Sequence, residues 1–201
     1  MEKYKNKYRI ESTRATWWNY GWTGAYFITI RTKNREHYFG ENINKKMQLS
    51  QCGVLADVLW HEIPHHQPRV SLGEFVVMPN HIHGILILDA PSENNIGNES
   101  GKNIGNDLIH VQTGHALSIP DTEKSESEKR FRNPGKNTIS SIIGGYKSAV
   151  TKHANRLGLE NGWQTRFHDH IIRNDGEYQR ISDYIMNNPL NWKEDKFFNH
   201  D

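Results

Sequence analysis

Short runs of β-branched and aromatic residues predict three strands in the first half of the chain. The runs are GAYFITIR, VSLGEFVVM and HIHGILIL, at 24–31, 70–78 and 81–88. Pro79-Asn80 between the last two runs predicts a tight turn. Between the first and second runs, apolar residues recur at helical spacing and predict an amphipathic helix over 45–63. The residues at this spacing are Leu55, Val58, Leu59 and Ile63.

The second half of the chain shows the same two patterns in the order helix, strand, helix. The stretch 138–158 has helical spacing of its large side chains, at Ile139, Ile142, Ile143, Tyr146, Val150, His153 and Leu157. RFHDHIIR is typical of a short strand, and NDGEYQRISDYIMNN is typical of a helix. Asn174 is the predicted N-cap of that helix, with Glu177 placed as in a capping box. Pro189 is expected to end it.

The order β-α-β-β-(insertion)-α-β-α predicts an α+β fold, in which helices pack on a small antiparallel sheet. We expect one domain over 1–201. Residues 90–136 are rich in Asn, Gly, Ser, Glu and Lys and poor in residues that form a core. This composition predicts a mobile insertion.

Composition narrows the class of protein. The single cysteine, Cys52, excludes an intramolecular disulfide and a zinc site made of four cysteines. No apolar run approaches the ~20 residues that a membrane-spanning helix needs, so no membrane partner is expected. The first residues, MEKYKNKYRIESTR, lack the apolar core of a signal peptide. We therefore expect a cytoplasmic protein.

Charge is distributed unevenly along the chain, although the net charge is only +2. Residues 89–130 contain eight acidic and four basic residues, a net charge of −4, so the rest of the chain carries +6. A basic body with an acidic insertion is compatible with a nucleic-acid partner. An ordinary protein with a solvated acidic loop would show the same pattern.

His81 and His83 lie within an apolar strand, which raises the question of what two imidazoles do there. Side chains alternate along a strand, so both imidazoles project from one face, close enough to share a metal ion. They could equally be hydrogen-bonded or solvated at the strand end. Two imidazoles need a third ligand to complete a site. His168 and His170 have the same spacing and are a second metal candidate, or part of a polar strand that faces nucleic acid.

Tyr184 and Asn188 lie four residues apart in the last predicted helix, on one side of its apolar stripe. A tyrosine in this position can be half-buried with a free hydroxyl. It could also be a packing residue, with the asparagine as a C-terminal cap. Tyr146 is a rival reactive tyrosine, but it falls on the apolar stripe of its own helix, so we expect its ring in the core.

Three blocks of the sequence resemble the REP-associated tyrosine transposases, single-tyrosine HUH enzymes related to the transposases of small bacterial insertion sequences. The blocks are GAYFITIRTKNREHYFG, MPNHIHGILIL and WQTRFHDHIIRNDGEYQRISDYIMNNPLNW. The family signature of two histidines around a hydrophobic residue matches His81-Ile82-His83. Its Tyr-Ile-x-x-Asn-Pro pattern in the last helix matches 184–189.

The resemblance implies a ferredoxin- or RRM-like HUH endonuclease fold and a metal-dependent strand transferase. It implies that Tyr184 attacks DNA to form a 5′-phosphotyrosine and that His81, His83 and Asn188 bind Mg²⁺ or Mn²⁺. Two imidazoles and an amide oxygen alone would favour zinc or another transition ion. Mn²⁺ therefore agrees better than Mg²⁺ with both the ligand types and the family resemblance. The implied partners are single-stranded DNA hairpins such as REP-like repeats, bound by a monomer or a homodimer.

Basic side chains in the second half predict where DNA binds. These are Lys147, Lys152, Arg156, Arg166, His170 and Arg173, and unpaired bases could stack on Trp17, Trp18, Tyr20, Trp22 and Trp163. Solvated faces and core contacts are the alternatives for these residues.

Two other functions stay open. One is a non-catalytic module of the same fold that binds single-stranded DNA or RNA. The other is a hydrolase that uses His168 and His170 with water as the nucleophile.

Overall fold

A four-stranded antiparallel sheet lies at the centre of the computed structural model of this chain, which describes residues 3–4, 7–8, 22–90 and 137–198. The strands are β1 (Lys3–Tyr4), β2 (Lys7–Tyr8), β3 (Gly24–Arg31), β4 (Gly40–Ile43), β5 (Lys46–Leu49), β6 (Val70–Met78), β7 (His81–Leu88) and β8 (His168–Ile172). The helices are α1 (Gln51–His61), α2 (Ile63–His66), α3 (Ile139–Arg156) and α4 (Asp175–Asn187), with 3₁₀ turns at Lys33–Arg35 and Trp192–Glu194.

The central sheet has the strand order β6-β7-β3-β8, and each neighbouring pair is antiparallel. The predicted class and element order are therefore confirmed, while β1 with β2 and β4 with β5 form two further small hairpins that the sequence pattern did not predict. The predicted insertion lies outside the described residues from 91 onwards, as do Trp17, Trp18 and Tyr20.

The two faces of the sheet are covered differently. On one face, alternate side chains of β3 and β7 form the main core with α1 and α3; this core includes Tyr26, Ile28, Ile30, Ile82, Leu86, Ala56, Trp60, Ile143 and Tyr146. On the other face, Ile85 of β7 packs against Ile181 and Ile185 of α4. Because residues alternate along β7, Ile82 and His81 must face opposite sides. The histidines lie on the side of α4.

Gly84 lets α1 approach the sheet closely at the centre of β7. A Cβ atom on this residue would lie 2.4 Å from Cζ2 of Trp60, which is fully buried. The indole ring stacks on Phe75 at a centroid distance of 4.7 Å and meets Tyr146 edge-on at 5.3 Å. The strand that carries the histidines is thus packed on its far side against a rigid aromatic cluster.

The predicted helix over 45–63 is wrong in its first third. Asn44 and Lys45 have positive φ values of 53° and 63° and form the two-residue turn of the β4–β5 hairpin. The helix begins only after Ser50, whose hydroxyl accepts the Gly53 N–H. The predicted face was also wrong at Val58, which is 50% exposed, because the small Ala56 and the large Trp60 make the contact with the sheet.

The predictions for the second half are closer to the structure. The helix predicted over 138–158 spans Ile139–Arg156, with a capping box between Thr138 and Ser141. Asn174 caps α4 by accepting the Glu177 N–H, as predicted. The Glu177 carboxylate, however, accepts the N–H of Arg173 and contacts His170, so the reciprocal half of the capping box is replaced. No helix in the described part of the chain is long and apolar enough to cross a membrane.

Candidate metal site and nucleophile

β7 brings His81 and His83 to the α4 side of the sheet. Their exposed fractions are 0% and 1%, and their ring centroids lie 4.5 Å apart. His83 is opposite Thr29 on β3, and His81 is opposite Arg31. β7 is a central strand, hydrogen-bonded to β3 on one side and to β6 on the other. The sheet therefore sets the spacing of the two rings.

The hydrogen bonds around His81 determine which ring nitrogen is available. Nδ1 of His81 lies 2.9 Å from Oδ1 of Asn80, and Nδ2 of Asn80 donates to the Phe197 carbonyl oxygen. Because Oδ1 of the asparagine is an acceptor, Nδ1 of His81 carries the hydrogen. Nε2 keeps its lone pair, is buried and makes no hydrogen bond of good geometry to any described residue. A carbonyl-type oxygen on Nδ1 is the usual support for a metal-binding histidine.

His83 has the same arrangement. Its Nδ1 lies 2.9 Å from Oγ1 of Thr29, and its Nε2 lies 3.2 Å from the hydroxyl of Tyr184. In the tautomer that donates Nδ1–H to Thr29, Nε2 is the lone-pair nitrogen. The two Nε2 atoms therefore face the same space, and the tyrosine hydroxyl lies at its edge.

Tyr184 reaches this space from α4, where it is 42% exposed. Its ring meets His83 at a centroid distance of 5.2 Å and Phe27 edge-on at 6.1 Å. Its hydroxyl is also 3.4 Å from Oδ2 of Asp195. Partial burial, and then the Asp195 carboxylate, raise the pKa of Tyr184 to about 12. The predicted position of this tyrosine at the edge of the buried stripe agrees with this geometry.

Asn188 and Asp195 complete the cluster. Nδ2 of Asn188 donates to Oδ2 of Asp195 at 3.1 Å. Oδ1 of Asn188 is buried and has no partner of good geometry in the described part of the chain. Asn188 lies at the C-cap of α4, where the predicted helix end places it. An orphaned amide oxygen beside an orphaned imidazole nitrogen is what an oxygen- and nitrogen-binding cation would satisfy.

Asp195 is the residue that the sequence analysis missed. Ligand atoms of His81, His83 and Asp195 all lie within 4.8 Å of one another, so these three side chains could hold a metal ion. Asp195 follows the 3₁₀ turn Trp192–Glu194, outside any periodic element. Its segment is held to the sheet by the bond from Asn80 to Phe197 and by packing of Trp192 and Phe197 on Met78. NWKEDKF has no pattern that would have indicated a ligand.

Burial favours the neutral form of both imidazoles. Burial, then Lys196, lowers the pKa of His81 to about 3, although the Asn188 side chain opposes this and Arg31 adds to it. Burial, then the neighbouring His81, holds the pKa of His83 well below its ordinary value. Neutral imidazole is the form that binds a metal. The donor set and the protonation state therefore fit a divalent cation.

The predicted DNA-binding residues lie on two parts of the surface. Lys152 and Arg156 are exposed on α3, which packs on the opposite face of the sheet from α4. Lys147 is half-buried, and its Nζ donates to the Gln164 carbonyl oxygen at 2.7 Å. A shallow depression is lined by Lys147, Ser148, Thr151, Lys152 and Trp163. A second depression that shares Trp163 is lined by Arg31, Thr32, Lys33, Asn34, Arg35, Gln164 and Thr165.

The remaining predicted cations lie around β8. Arg166 and Arg173 are exposed. Nε2 of His170 lies 2.8 Å from Oε1 of Glu177, so this imidazole already has a partner. Among the described residues, the rival pair His168 and His170 belongs to no group of three potential ligands. The structure therefore favours the first histidine pair as the metal candidate.

Comparison with known proteins supports the fold. No protein-family model matches the sequence. An "uncharacterized protein" of Haemophilus influenzae is 36% identical over 189 residues, which are 93% of this chain and 92% of that protein. A REP-associated tyrosine transposase, whose structure holds a REP hairpin, superposes with a TM-score of 0.53 and 20% identity over 93% of this chain and 77% of that chain. The predicted resemblance is thus confirmed in the fold.

Proposed function

Because this chain belongs to the same family as the Haemophilus influenzae protein and has the fold of a REP-associated tyrosine transposase, we propose that it cleaves and rejoins single-stranded DNA near hairpin repeats. The observation that carries this proposal is the position of the Tyr184 hydroxyl, 3.2 Å from Nε2 of His83, whose ring centroid lies 4.5 Å from that of His81. A nucleophile of the right type thus adjoins a site that fits a cation.

In this proposal His81, His83 and Asn188 would hold Mg²⁺ or Mn²⁺, as the family resemblance implies. When bound, the ion supplies Lewis-acid polarisation of the scissile phosphate. Asn80 and Thr29 hold the two imidazoles in the tautomers that leave each Nε2 free. Such support normally raises metal affinity, since it fixes the orientation of the ligands.

Tyr184 is the proposed nucleophile. Its oxygen forms a bond to phosphorus while the bond from phosphorus to the 3′-oxygen breaks. The products are a 5′-phosphotyrosine and a free 3′-hydroxyl, and the proton lost by the tyrosine is balanced by the proton gained at the 3′-oxygen. The phosphodiester energy stays in the covalent link, so the reverse attack by a 3′-hydroxyl rejoins DNA without another energy source.

The charge beside the cluster suits a phosphate. The guanidinium of Arg31 lies over the Phe197 ring at 5.4 Å from its centroid, and Nζ of Lys196 lies 4.9 Å from the same centroid. Both cations lower the pKa of His81, which places their positive potential at the metal site. We propose that these cations guide the DNA backbone there, with Lys152, Arg156, Arg166 and Arg173 as more distant contacts.

The test is covalent trapping on a hairpin oligonucleotide with a single-stranded flank, in the presence of Mn²⁺. Wild-type protein should form a protein–DNA adduct on a denaturing gel, and Tyr184→Phe should bind the hairpin but form none. Tyr146→Phe is the matched control, because its hydroxyl is buried and donates to the Ala56 carbonyl oxygen on the other face. An adduct with Tyr184→Phe would refute the assigned nucleophile. Binding without any adduct in the wild type would favour the non-catalytic module.

A further inference from the structure

We propose that Asp195 is a direct ligand of the metal ion and, among the described residues, its one negatively charged side-chain ligand. This inference rests on the proposed metal site of His81 and His83. It adds a ligand from the segment after α4, which the motif resemblance does not include. The arrangement would then be two imidazoles, the amide oxygen of Asn188 and one carboxylate oxygen.

The two oxygens of Asp195 have different surroundings. Oδ1 accepts the Phe197 N–H at 2.7 Å, which fixes the carboxylate on its own segment. Oδ2 points to the cluster, where it accepts from Nδ2 of Asn188 at 3.1 Å and contacts the Tyr184 hydroxyl at 3.4 Å. One oxygen is therefore tied to the backbone, while the other is directed toward the space between the imidazoles.

Charge balance favours this carboxylate as a ligand. Imidazole binds a metal in its neutral form, and the amide of Asn188 is neutral as well. The charged side chains that act on His81 are Lys196 and Arg31, both positive. Of the charged groups that act on His83, Asp195 is the one whose charge is negative. A divalent cation in a buried site without this carboxylate would face only neutral ligands and nearby positive charge, which is costly.

A carboxylate also changes which metal the site prefers. Imidazole nitrogens alone suit zinc and other transition ions, while carboxylate and carbonyl oxygens suit Mg²⁺ and Mn²⁺. Two nitrogens with two oxygens, one of them charged, move the site toward Mn²⁺. Asn188 would then have two roles, because its Oδ1 would bind the ion while its Nδ2 holds Oδ2 of Asp195 in place.

The first experiment measures Mn²⁺ affinity by electron paramagnetic resonance, from the loss of the free-ion signal. Asp195→Asn keeps the shape of the side chain and should weaken Mn²⁺ binding by at least about tenfold, since even partners outside the coordination shell contribute that much. Glu194→Gln, an exposed neighbour, is the matched control and should bind as wild type. Unchanged melting temperatures of the metal-free variants show that each is folded.

The second experiment separates coordination from positioning. Asp195→Cys places a thiol at this site, and the chain's only native cysteine, Cys52, is buried. A cadmium–thiolate charge-transfer absorption on adding Cd²⁺, absent from wild type, is the expected result. Weakened Mn²⁺ binding by Asp195→Asn without that absorption would overturn direct coordination, as the carboxylate would then act through Asn188.

A variant of His83 distinguishes failure of this inference from failure of the metal site itself. The informative substitution at this position is His83→Leu, which has no ligand atom, because a glutamine oxygen could itself bind Mn²⁺. If His83→Leu loses Mn²⁺ affinity while Asp195→Asn binds as wild type, Asp195 is not a ligand and the histidine site stands. If His83→Leu also binds Mn²⁺ as wild type, the ion is held elsewhere, and both the metal site and the role of Asp195 are refuted.

Discussion

Acidification from about pH 7 to about pH 5 should destabilise the metal-free protein through His81. Burial, with Lys196, lowers the pKa of this imidazole from the ordinary 6.5 to about 3 in the folded state. Between these two pKa values the unfolded chain binds a proton that the folded chain does not bind. The free energy of unfolding is therefore unaffected above the unfolded pKa and falls as the pH drops below it.

The size of this effect follows from the pKa difference. One pKa unit corresponds to about 1.4 kcal/mol. At about pH 5 the imidazole is largely protonated in the unfolded chain and neutral in the folded chain. This pH lies roughly 1.5 pH units below the unfolded pKa, so the free energy of unfolding falls by about 2 kcal/mol. His81 is fully buried, so solvent screens little of this cost.

The measurement is urea unfolding of wild type and His81→Asn at the two pH values, with a chelator present. The asparagine retains an N–H in place of Nδ1–H for the bond to Asn80 but does not titrate. Other groups titrate in both chains and largely cancel. The variant should therefore lose about 2 kcal/mol less than wild type on acidification. Equal losses in the two chains would show that His81 is protonated in the folded protein despite its burial.

Outcomes are expected for four further variants. Gly84→Ala should lower the free energy of unfolding by about 1–3 kcal/mol, because the new Cβ would lie 2.4 Å from a buried indole ring. Gly144→Ala, with open space around its Cβ, should stabilise by up to about 1 kcal/mol, and both are measured by urea unfolding. Thr29→Val removes the support of His83 and should weaken Mn²⁺ binding by about tenfold or more, measured by calorimetry; unchanged affinity would show that the threonine does not orient the ring. Lys196→Gln should reduce hairpin affinity and lower the slope of log affinity against log salt by about 1, measured by fluorescence anisotropy; an unchanged slope would exclude a phosphate contact.

Much of the site could be predicted because it depends on local periodicity. The alternation of a strand puts His81 and His83 on one face, and helical spacing puts Tyr184 near Asn188. Their meeting depends on α4 covering the histidine face of β7, and only the family resemblance indicated that contact. The observed distance from Tyr184 to His83 depends on tertiary packing, which the spacing of residues in the sequence does not predict.

Asp195 and the hairpin before α1 show why the rest could not be predicted. The carboxylate reaches the site because Asn80, more than a hundred positions earlier in the chain, binds the Phe197 carbonyl. The hairpin depends on consecutive left-handed residues at Asn44 and Lys45, a conformation that lysine seldom adopts. Both features come from long-range or strained backbone geometry, where residue patterns carry little information.

The direction of β7 has a practical consequence for following DNA binding by fluorescence. His81 begins the strand and Leu88 ends it, so at about 3.3 Å per residue the chain leaves the sheet roughly 23 Å from His81 and roughly 17 Å from His83. Ala90 is exposed just beyond that end, and the only native thiol is buried in the core. A dye attached to Ala90→Cys would therefore label one position without touching the cluster. Energy transfer from that dye to a labelled oligonucleotide would report the arrival and orientation of the hairpin.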